Sequence, residues 1–211
     1  MAGKYTRVTE KESKPAREYA EKILIQLQND IKEKYKFQFR LVGSAKHNMM
    51  IRDDKGCYDL DYQILLTNNS HMYKVNGLSN ATQIKNDFFN WFNRKYSTNQ
   101  NFKVENSTTS ITLRNISGKY SIDFVIIKDD EIIRRNKNAS TMECTWNKLP
   151  SRHSDVYKFF NDEMSGDAKN DLIENYILPR KVKEKMQNAN ERKASVAIFI
   201  EEVINYAHRI K

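Results

Sequence analysis

The residues of this chain best suited to chemistry are two aspartates at alternate positions, Asp59 and Asp61. Aromatic or aliphatic residues alternate with polar ones along residues 58–63, a pattern that predicts a β-strand. Side chains two residues apart on a strand point to the same face, so the two carboxylates are expected to lie side by side. Two ionised carboxylates in this arrangement repel each other, and a hard cation such as Mg²⁺ between them would relieve the repulsion.

A turn suited to phosphate binding precedes the aspartates. Residues 37–42 alternate as a strand does, and Gly43 and Ser44 follow directly. Glycine lets the backbone approach a ligand closely, while the serine hydroxyl and neighbouring N–H groups can donate to phosphate oxygens. Residues 45–50 are expected to form a short helix whose N-terminus faces the anion. His47 within it is expected to face solvent or to be hydrogen-bonded rather than to act as a base.

A third carboxylate, Asp123, lies within the strongest strand pattern of the chain, residues 120–127. This segment is rich in β-branched and aromatic residues, which favour a strand. An unpaired charge in the middle of such a strand is costly. If the strand pairs beside the one that carries Asp59 and Asp61, the three carboxylates converge in the arrangement of a two-metal phosphoryl-transfer site.

The order of these residues, Gly43-Ser44, then Asp59-x-Asp61, then Asp123 on a later strand, resembles the polymerase-β-like nucleotidyltransferase superfamily. The long spacer between the Gly-Ser turn and the first aspartate is more similar to the branch of cyclic GMP-AMP synthase and oligoadenylate synthase, the CD-NTase-like branch, than to the aminoglycoside or toxin branch. The resemblance is looser outside the segment that these residues span. It implies an α+β fold, in which a mixed or antiparallel, palm-like sheet is flanked by helices and followed by a C-terminal helical lobe.

The resemblance also implies roles for individual residues. NTP would be the substrate, and Mg²⁺ or Mn²⁺ would be held by the three aspartates, of which Asp123 would orient or deprotonate the attacking hydroxyl. Gly43 and Ser44 would hold the β- and γ-phosphates. In the C-terminal lobe of the resembling families a lysine and a serine often touch the triphosphate, and the candidates for these contacts are Lys193 and Ser195, or equally Lys181 and Lys185.

The order of predicted elements indicates a catalytic core with an N-terminal helix, residues 1–140, and a C-terminal helical lobe, residues 141–211, with the cleft between them. Within the core, helices are predicted over residues 15–34 and 84–96, and a set of hairpins is predicted over residues 102–127. Residues 1–14 are expected to be frayed or loosely docked. Residues 67–80 are expected to form a loop, and residues 128–138 to be charged and exposed.

Helix-start and helix-stop residues mark the C-terminal lobe. Ser154 and Asp167 are each expected to cap a helix, and Pro179 is expected to break or kink the second of these helices. The last helix is predicted to bury one apolar stripe, formed by Val196, Phe199, Ile200, Val203, Ile204 and Ala207.

Composition narrows the class of partner. The chain has 211 residues and a net charge of +9. This excess of basic residues favours a polyanionic partner, such as an NTP together with a nucleotide or RNA acceptor. The predicted landing surface for that acceptor is the cluster Arg180, Lys181, Lys183 and Lys185. A basic face that is merely solvated is an equally good explanation of this cluster.

The expected cellular context is the cytoplasm, with no membrane partner. Two cysteines are too few for a disulfide framework, and the sequence contains neither a recognisable signal sequence nor an apolar run long enough to span a membrane. The sequence does not determine an oligomeric state.

Two alternatives stay open at the level of sequence. The same site could nucleotidylate a small molecule or a protein, or the fold could serve as a basic nucleic-acid- or protein-binding module without turnover. Gly-Ser is a common turn, and Asp-x-Asp pairs also occur on solvated strand faces. The third aspartate favours catalysis, because a non-catalytic relative has no reason to retain all three carboxylates.

Overall fold

The computed structural model describes residues 5–52, 56–67, 80–136, 143–149, 153–187 and 194–209. The strands, in chain order, are β1 Thr6–Arg7, β2 Phe37–Val42, β3 Ile51–Arg52, β4 Tyr58–Leu66, β5 Phe102–Asn106, β6 Ser110–Asn115, β7 Tyr120–Lys128, β8 Glu131–Arg135 and β9 Cys144–Lys148. The helices are α1 Glu10–Ile31, α2 Gly43–Lys46, α3 Ala81–Tyr96, α4 Ser154–Lys158, α5 Gly166–Leu172, α6 Leu178–Lys185 and α7 Ser195–Arg209. A π-helical turn follows α4, and another joins α5 to α6.

The main sheet has seven strands and is mixed, with the order β2-β4-β7-β6-β5 and with β8 and β9 continuing from β7. β4 and β7 are parallel neighbours at its centre, whereas the other pairs described in this sheet are antiparallel. The expected pairing of the two aspartate strands and the antiparallel hairpins over residues 102–127 are therefore confirmed, and the fold is α+β.

The first helix begins earlier than the sequence periodicity predicted. Thr9 and Glu12 form a capping box, in which each side chain accepts a hydrogen bond from the backbone N–H of the other residue. Because this box satisfies the first N–H groups, α1 starts at Glu10 and Pro15 lies inside it. β1 also pairs with β3. The expectation that residues 1–14 are loosely docked is therefore wrong for the described part of that segment.

One face of the main sheet packs against α1 and α3. The ring of Phe92 on α3 stacks on Phe124 of β7 with centroids 4.7 Å apart, and Tyr19 of α1 stacks on Phe102 of β5. Phe124 follows Asp123 directly, so the two side chains point to opposite faces. The aromatic stripe of α3 is therefore core, as predicted, and the aspartates lie on the other face.

The C-terminal helices begin at residues other than those predicted. His153, not Ser154, is the N-cap of α4, and Ser154 is the first helical residue. α5 is capped by Ser165, whose side chain accepts a hydrogen bond from the N–H of Ala168. Asp167 lies instead in the first turn, where a carboxylate interacts favourably with the positive end of the helix.

Pro179 lies in a helical path that continues through it. It is the second residue of α6, directly after the π-helical turn Ile173–Ile177. Proline has no N–H to donate, and it is tolerated in the first turn of a helix. The chain therefore stays helical at the position where a break was one of the two expectations, and the hydrogen-bonding pattern widens into a π-turn just before the proline.

The last helix, α7, buries a different stripe from the one predicted. Its buried residues are Ile198, Phe199, Glu202, Val203 and Tyr206. Val196 and Ile204, which were assigned to the buried stripe, are 51% and 41% exposed. Glu202 can be buried because Arg180 pairs with it. Because this paired glutamate belongs to the buried face of α7, that face differs from the stripe predicted from the apolar residues alone.

Two hydrophobic clusters lie on different sides of the sheet. One joins the sheet to α1 and α3, and the other joins the C-terminal helices to Met49. β8 occupies the segment predicted to be exposed, and its Ile133 is buried. Since β9 pairs with β8, the sheet continues beyond residue 140, and a domain division there stays a prediction.

Most of the predicted loop over residues 67–80 lies outside the described residues. Within the part of the chain that the structure describes, no helix is both long enough and apolar enough to cross a membrane.

Candidate active site

The three predicted aspartates lie on one face of the sheet at its centre. Asp61 on β4 and Asp123 on β7 are register partners in the parallel pair, and Asp59 is the partner of Ser121. Asp59 is exposed, whereas Asp61 and Asp123 are half-buried. Neighbouring strands are about 4.8 Å apart. The Cα positions of Asp61 and Asp123 are thus one strand spacing apart, and Asp59 lies two residues earlier on β4. The use of the three carboxylates as one metal site stays a prediction.

Hydroxyl groups on β6 and β7 hold two of these carboxylates. Ser121 donates to Oδ1 of Asp59, and Thr112 donates to Oδ1 of Asp123. Ser110 also lies within hydrogen-bond distance of that Asp123 oxygen, at 3.3 Å. The sequence prediction missed these groups. Ser121 could have been found from its position two residues before Asp123, whereas the other two depend on the pairing of β6 with β7.

Burial and mutual repulsion change the acidity of the cluster. The pKa of Asp61 is raised to about 6, first by burial and then by the charges of Asp123 and Asp59. Burial also raises the pKa of Asp123, against the hydrogen bond from Thr112, which favours the ionised form. Ionising this cluster at pH 7 leaves negative charge that its surroundings compensate poorly, and this is the electrostatic condition for binding a cation.

Gly43 is the point at which the backbone touches the aspartates. Its φ is +65°, and a Cβ at this position would lie 2.7 Å from Oδ2 of Asp61. Glycine alone meets both conditions without strain. The helix predicted over residues 45–50 is α2, which starts at Gly43 itself and ends at Lys46. The first turn of α2 therefore packs directly beside a carboxylate of the site.

A buried cation from the C-terminal helices contacts the Gly43–Ser44 turn. Lys181 on α6 is 3% exposed, and its Nζ donates to Oγ of Ser44 at 2.8 Å and to the carbonyl oxygen of Met49. Burial, and then the charge of Lys185, lower the pKa of Lys181 to about 8, against the opposing effect of Asp61. The structure thus places Lys181 at the predicted phosphate-binding turn.

A cleft of about 1200 Å³ opens over the carboxylates, between the sheet and the C-terminal helices. Lys185 and Ser195 line it and are exposed, whereas Lys193 lies outside the described residues. Pockets for single small ligands typically measure about 300–1,000 Å³. The cleft is therefore larger than the typical pocket for one small ligand.

No protein-family model matches the chain, and no curated protein matches it by sequence. Solved structures match it in fold. GTP-bound DncV of Vibrio cholerae has a TM-score of 0.58 and 12% identity over 82% of this chain and 45% of its own. The STING-associated c-di-GMP synthase CdnE of Capnocytophaga granulosa has a TM-score of 0.59 and 18% identity over 94% of this chain and 60% of its own. The CD-NTase CdnG of Bradyrhizobium diazoefficiens, in complex with GTP, has a TM-score of 0.52 and 14% identity, over 80% and 48%.

This chain has the fold of these three structures. At identities this low the match is one of fold alone, and it agrees with the resemblance that the order of Gly43, Ser44 and the aspartates suggested. The chain spans between 45% and 60% of the length of these CD-NTase structures.

In this fold, the four basic residues of the α6 cluster do not all lie on one surface. Arg180 is paired with two glutamates of α7, Glu201 and Glu202. Lys181 is buried at the Gly43–Ser44 turn, while the other two lysines of the cluster are exposed. Lys181 and Lys185, one helical turn apart, both line the cleft, whereas Arg180 is held by α7. The role of this cluster as a landing surface for an acceptor stays a prediction.

His47 also differs from the prediction, because aromatic rings enclose it. Its ring stacks on Phe199 with centroids 5.8 Å apart, and Tyr157 and Phe160 are its other aromatic neighbours. Burial, and then the charge of Lys46, lower the pKa of His47, which favours a neutral ring at pH 7. The histidine is thus part of the wall of the cleft rather than a solvated side chain.

The donor set of the aspartates fits a hard divalent cation. In the described ranges, no three His, Cys, Asp or Glu side chains are grouped as a complete metal site. Mg²⁺ does not require one, because it keeps several waters and uses one or two carboxylates together with substrate phosphates. Asp61 and Asp123, with Asp59 beside them, are the residues that would hold the ion.

Replacing Lys181 with methionine is expected to remove a pH-dependent destabilisation of the folded protein. The folded-state pKa of about 8 lies below the ordinary value of 10.5. The unfolded chain therefore binds more protons between these values, and wild-type stability rises with pH across this window. Urea unfolding at pH 7 and pH 9.5 should show wild type gaining about 2 kcal/mol relative to Lys181→Met.

The neighbouring exposed lysine provides the matched control for this experiment. Lys183→Met should show no such pH-dependent difference from wild type. Parallel pH profiles for wild type and Lys181→Met would contradict the burial of a charged amine at this position.

Proposed function

We propose that this protein is a metal-dependent nucleotidyltransferase. It transfers NMP from an NTP to a hydroxyl group of a nucleotide or oligonucleotide acceptor and releases pyrophosphate. The observation that carries the proposal is the pairing of Asp61 with Asp123 across the parallel strands, with the Gly43–Ser44 turn and Lys181 at one end of the pair. The similar folds of GTP complexes and of a c-di-GMP synthase support nucleotide chemistry.

The triphosphate of the donor lies at the Gly43–Ser44 turn. The Ser44 hydroxyl and the backbone N–H groups of the first turn of α2 donate to the β- and γ-phosphate oxygens. Lys181 exchanges its bond to the Met49 carbonyl for a phosphate oxygen, which suits the point charge of an ammonium group. Lys185, one turn after Lys181 on α6, and Ser195, at the start of α7, add donors from the C-terminal helices.

The three carboxylates act on the reacting end of the NTP. Asp61 and Asp123, with Asp59, would supply oxygen ligands to Mg²⁺ or Mn²⁺, which would polarise the α-phosphate and offset the charge of the departing pyrophosphate. Thr112 and Ser110 keep Asp123 in a defined orientation through its Oδ1.

Transfer is a single displacement at the α-phosphorus. The acceptor oxygen forms a bond to this phosphorus while the bond to the oxygen that bridges to the β-phosphate breaks, and this oxygen leaves with pyrophosphate. The hydroxyl proton passes to the carboxylate of Asp123, whose raised pKa suits it to act as a base. Ser44 and Lys181 hold the leaving pyrophosphate.

The test is incubation of the protein with each of the four labelled NTPs in the presence of Mg²⁺ or Mn²⁺. We expect NTP consumption, release of pyrophosphate, and phosphodiester-linked products resolved by chromatography and mass spectrometry. An Asp61→Asn variant purified in parallel controls for contaminating enzymes. A wild-type protein that consumes none of the NTPs with either metal contradicts the proposal.

The same experiment distinguishes the acceptors. Label in products made only of nucleotides supports a nucleotide acceptor. Label attached to the protein itself, or to an added aminoglycoside, would assign the same site to protein or small-molecule nucleotidylation instead.

A further inference from the structure

A pair of side chains on the aspartate face of the sheet has no role in the mechanism above. Arg40 on β2 and Gln63 on β4 are register partners, and Nε of Arg40 donates to Oε1 of Gln63 at 2.8 Å. Both residues line the same cleft as the aspartates, and Arg40 is exposed. The bond to Gln63 fixes the plane of the guanidinium group and leaves its two terminal nitrogens as donors to a ligand.

The Arg40–Gln63 pair and the Gly43–Ser44 turn lie on opposite sides of Asp61. β2 runs antiparallel to β4, with Val42 opposite Asp61. Beyond Val42 the chain continues directly into the turn. The Arg40–Gln63 pair lies two residues along the strands in the other direction, which is about 7 Å from the Asp61 position.

This arrangement decides from which side an acceptor approaches. In-line displacement places the attacking and leaving oxygens on opposite sides of the α-phosphorus. The leaving pyrophosphate is held at the Gly43–Ser44 turn and Lys181, so the attacking nucleotide enters from the side of the Arg40–Gln63 pair. We infer that Arg40, oriented by Gln63, binds the acceptor nucleotide through two adjacent hydrogen-bond acceptors. This inference rests on the proposed function.

Two groups of a nucleotide present such a pair of acceptors. A guanidinium fork binds two oxygens of a phosphate, and it also binds O6 and N7 of guanine. Val125, the register partner of Gln63 on β7, is half-buried and lies on the far side of Gln63 from Arg40. The guanidinium fork itself therefore suits either the phosphate or the guanine base of a nucleotide.

The experiment separates the acceptor from the donor by using a 2′,3′-dideoxy NTP as the donor, because this compound has no ribose hydroxyl that could accept. At saturating donor, Arg40→Ala is expected to raise the KM for the acceptor about 10- to 100-fold, the effect of losing charge-assisted hydrogen bonds. The KM for the donor, and kcat at saturating acceptor, should stay close to the wild-type values.

Three variants show whether the increase in acceptor KM depends on the guanidinium group of Arg40. Arg94→Ala removes an exposed arginine from α3, behind the sheet, and should leave the acceptor KM unchanged. Gln63→Met removes the orienting oxygen and should raise the acceptor KM by a smaller factor than Arg40→Ala does. Arg40→Lys keeps the charge without the fork and should restore affinity only in part.

The choice of acceptor identifies the group that is bound. A loss confined to ATP and GTP, with adenosine and guanosine unaffected, assigns the contact to phosphate. A loss confined to GTP and guanosine assigns it to the guanine edge. Wild-type turnover with an unchanged acceptor KM in Arg40→Ala overturns this inference alone, whereas a wild-type protein without turnover overturns the proposed function and the inference with it.

Discussion

The Asp61→Asn variant is expected to lose the proposed nucleotidyl transfer by at least about 100-fold, because Asp61 would hold a metal ion that supplies several kcal/mol of transition-state charge stabilisation. The same variant should be more stable than wild type in metal-free buffer. The folded-state pKa of Asp61, about 6, lies above its ordinary value of 3.8, so ionisation at neutral pH destabilises the folded state. The gain should be on the order of 1–3 kcal/mol.

The pH dependence of this gain identifies its origin. A raised carboxyl pKa gives stability that is complete below the unfolded value and is lost as pH rises through the folded value. The advantage of Asp61→Asn should therefore be present at pH 7 and shrink between pH 6 and pH 4. Urea unfolding and turnover would be measured on the same preparations.

The control for this variant is Asp162→Asn, which removes an exposed carboxylate from the C-terminal helices. It should change neither turnover nor the pH dependence of stability. Full turnover in Asp61→Asn would refute the site assignment. Unchanged stability at pH 7 would refute the crowding of charge at the cluster.

Gly43→Ala is expected to reduce turnover by about 100-fold, the loss that follows a misplacement of about 1 Å at a reacting centre. A Cβ at this position would lie 2.7 Å from Oδ2 of Asp61, so the carboxylate must move. The positive φ of residue 43 adds backbone strain of roughly 1–2 kcal/mol. Thermal unfolding and turnover at saturating NTP measure the two effects.

Gly118→Ala separates the clash from the strain. Gly118 also has a positive φ, +75°, but a Cβ there meets nothing within 4 Å. This control should show a similar loss of stability with wild-type turnover. If Gly43→Ala retained as much turnover as Gly118→Ala, the close contact between the turn and Asp61 would not matter for the reaction.

Alternation along single strands was sufficient to predict much of the candidate site. The common face of Asp59 and Asp61 follows from their spacing, and the burial of Asp123 follows from the β-branched residues around it. The start of α1 could also have been predicted, because Thr9 and Glu12 have the spacing of a capping box.

Contacts between residues distant in sequence could be identified only from the tertiary structure. Lys181 and Ser44 are 137 residues apart, and the candidates for the triphosphate contact that are equivalent by sequence are Lys181, Lys185, Lys193 and Ser195. Packing distinguishes Lys181, since it brings its Nζ to Oγ of Ser44. Likewise, only strand register places Thr112 at Asp123.

The sequence by itself determined which side chains share a face within one element, because that depends on a local backbone period. The tertiary structure decided which faces meet, because strand pairing and helix packing depend on contacts between distant segments. The Arg40–Gln63 pair shows the difference: each residue was on a predicted strand, but only the antiparallel register of β2 and β4 placed the two together, on the other side of Asp61 from the Gly43–Ser44 turn.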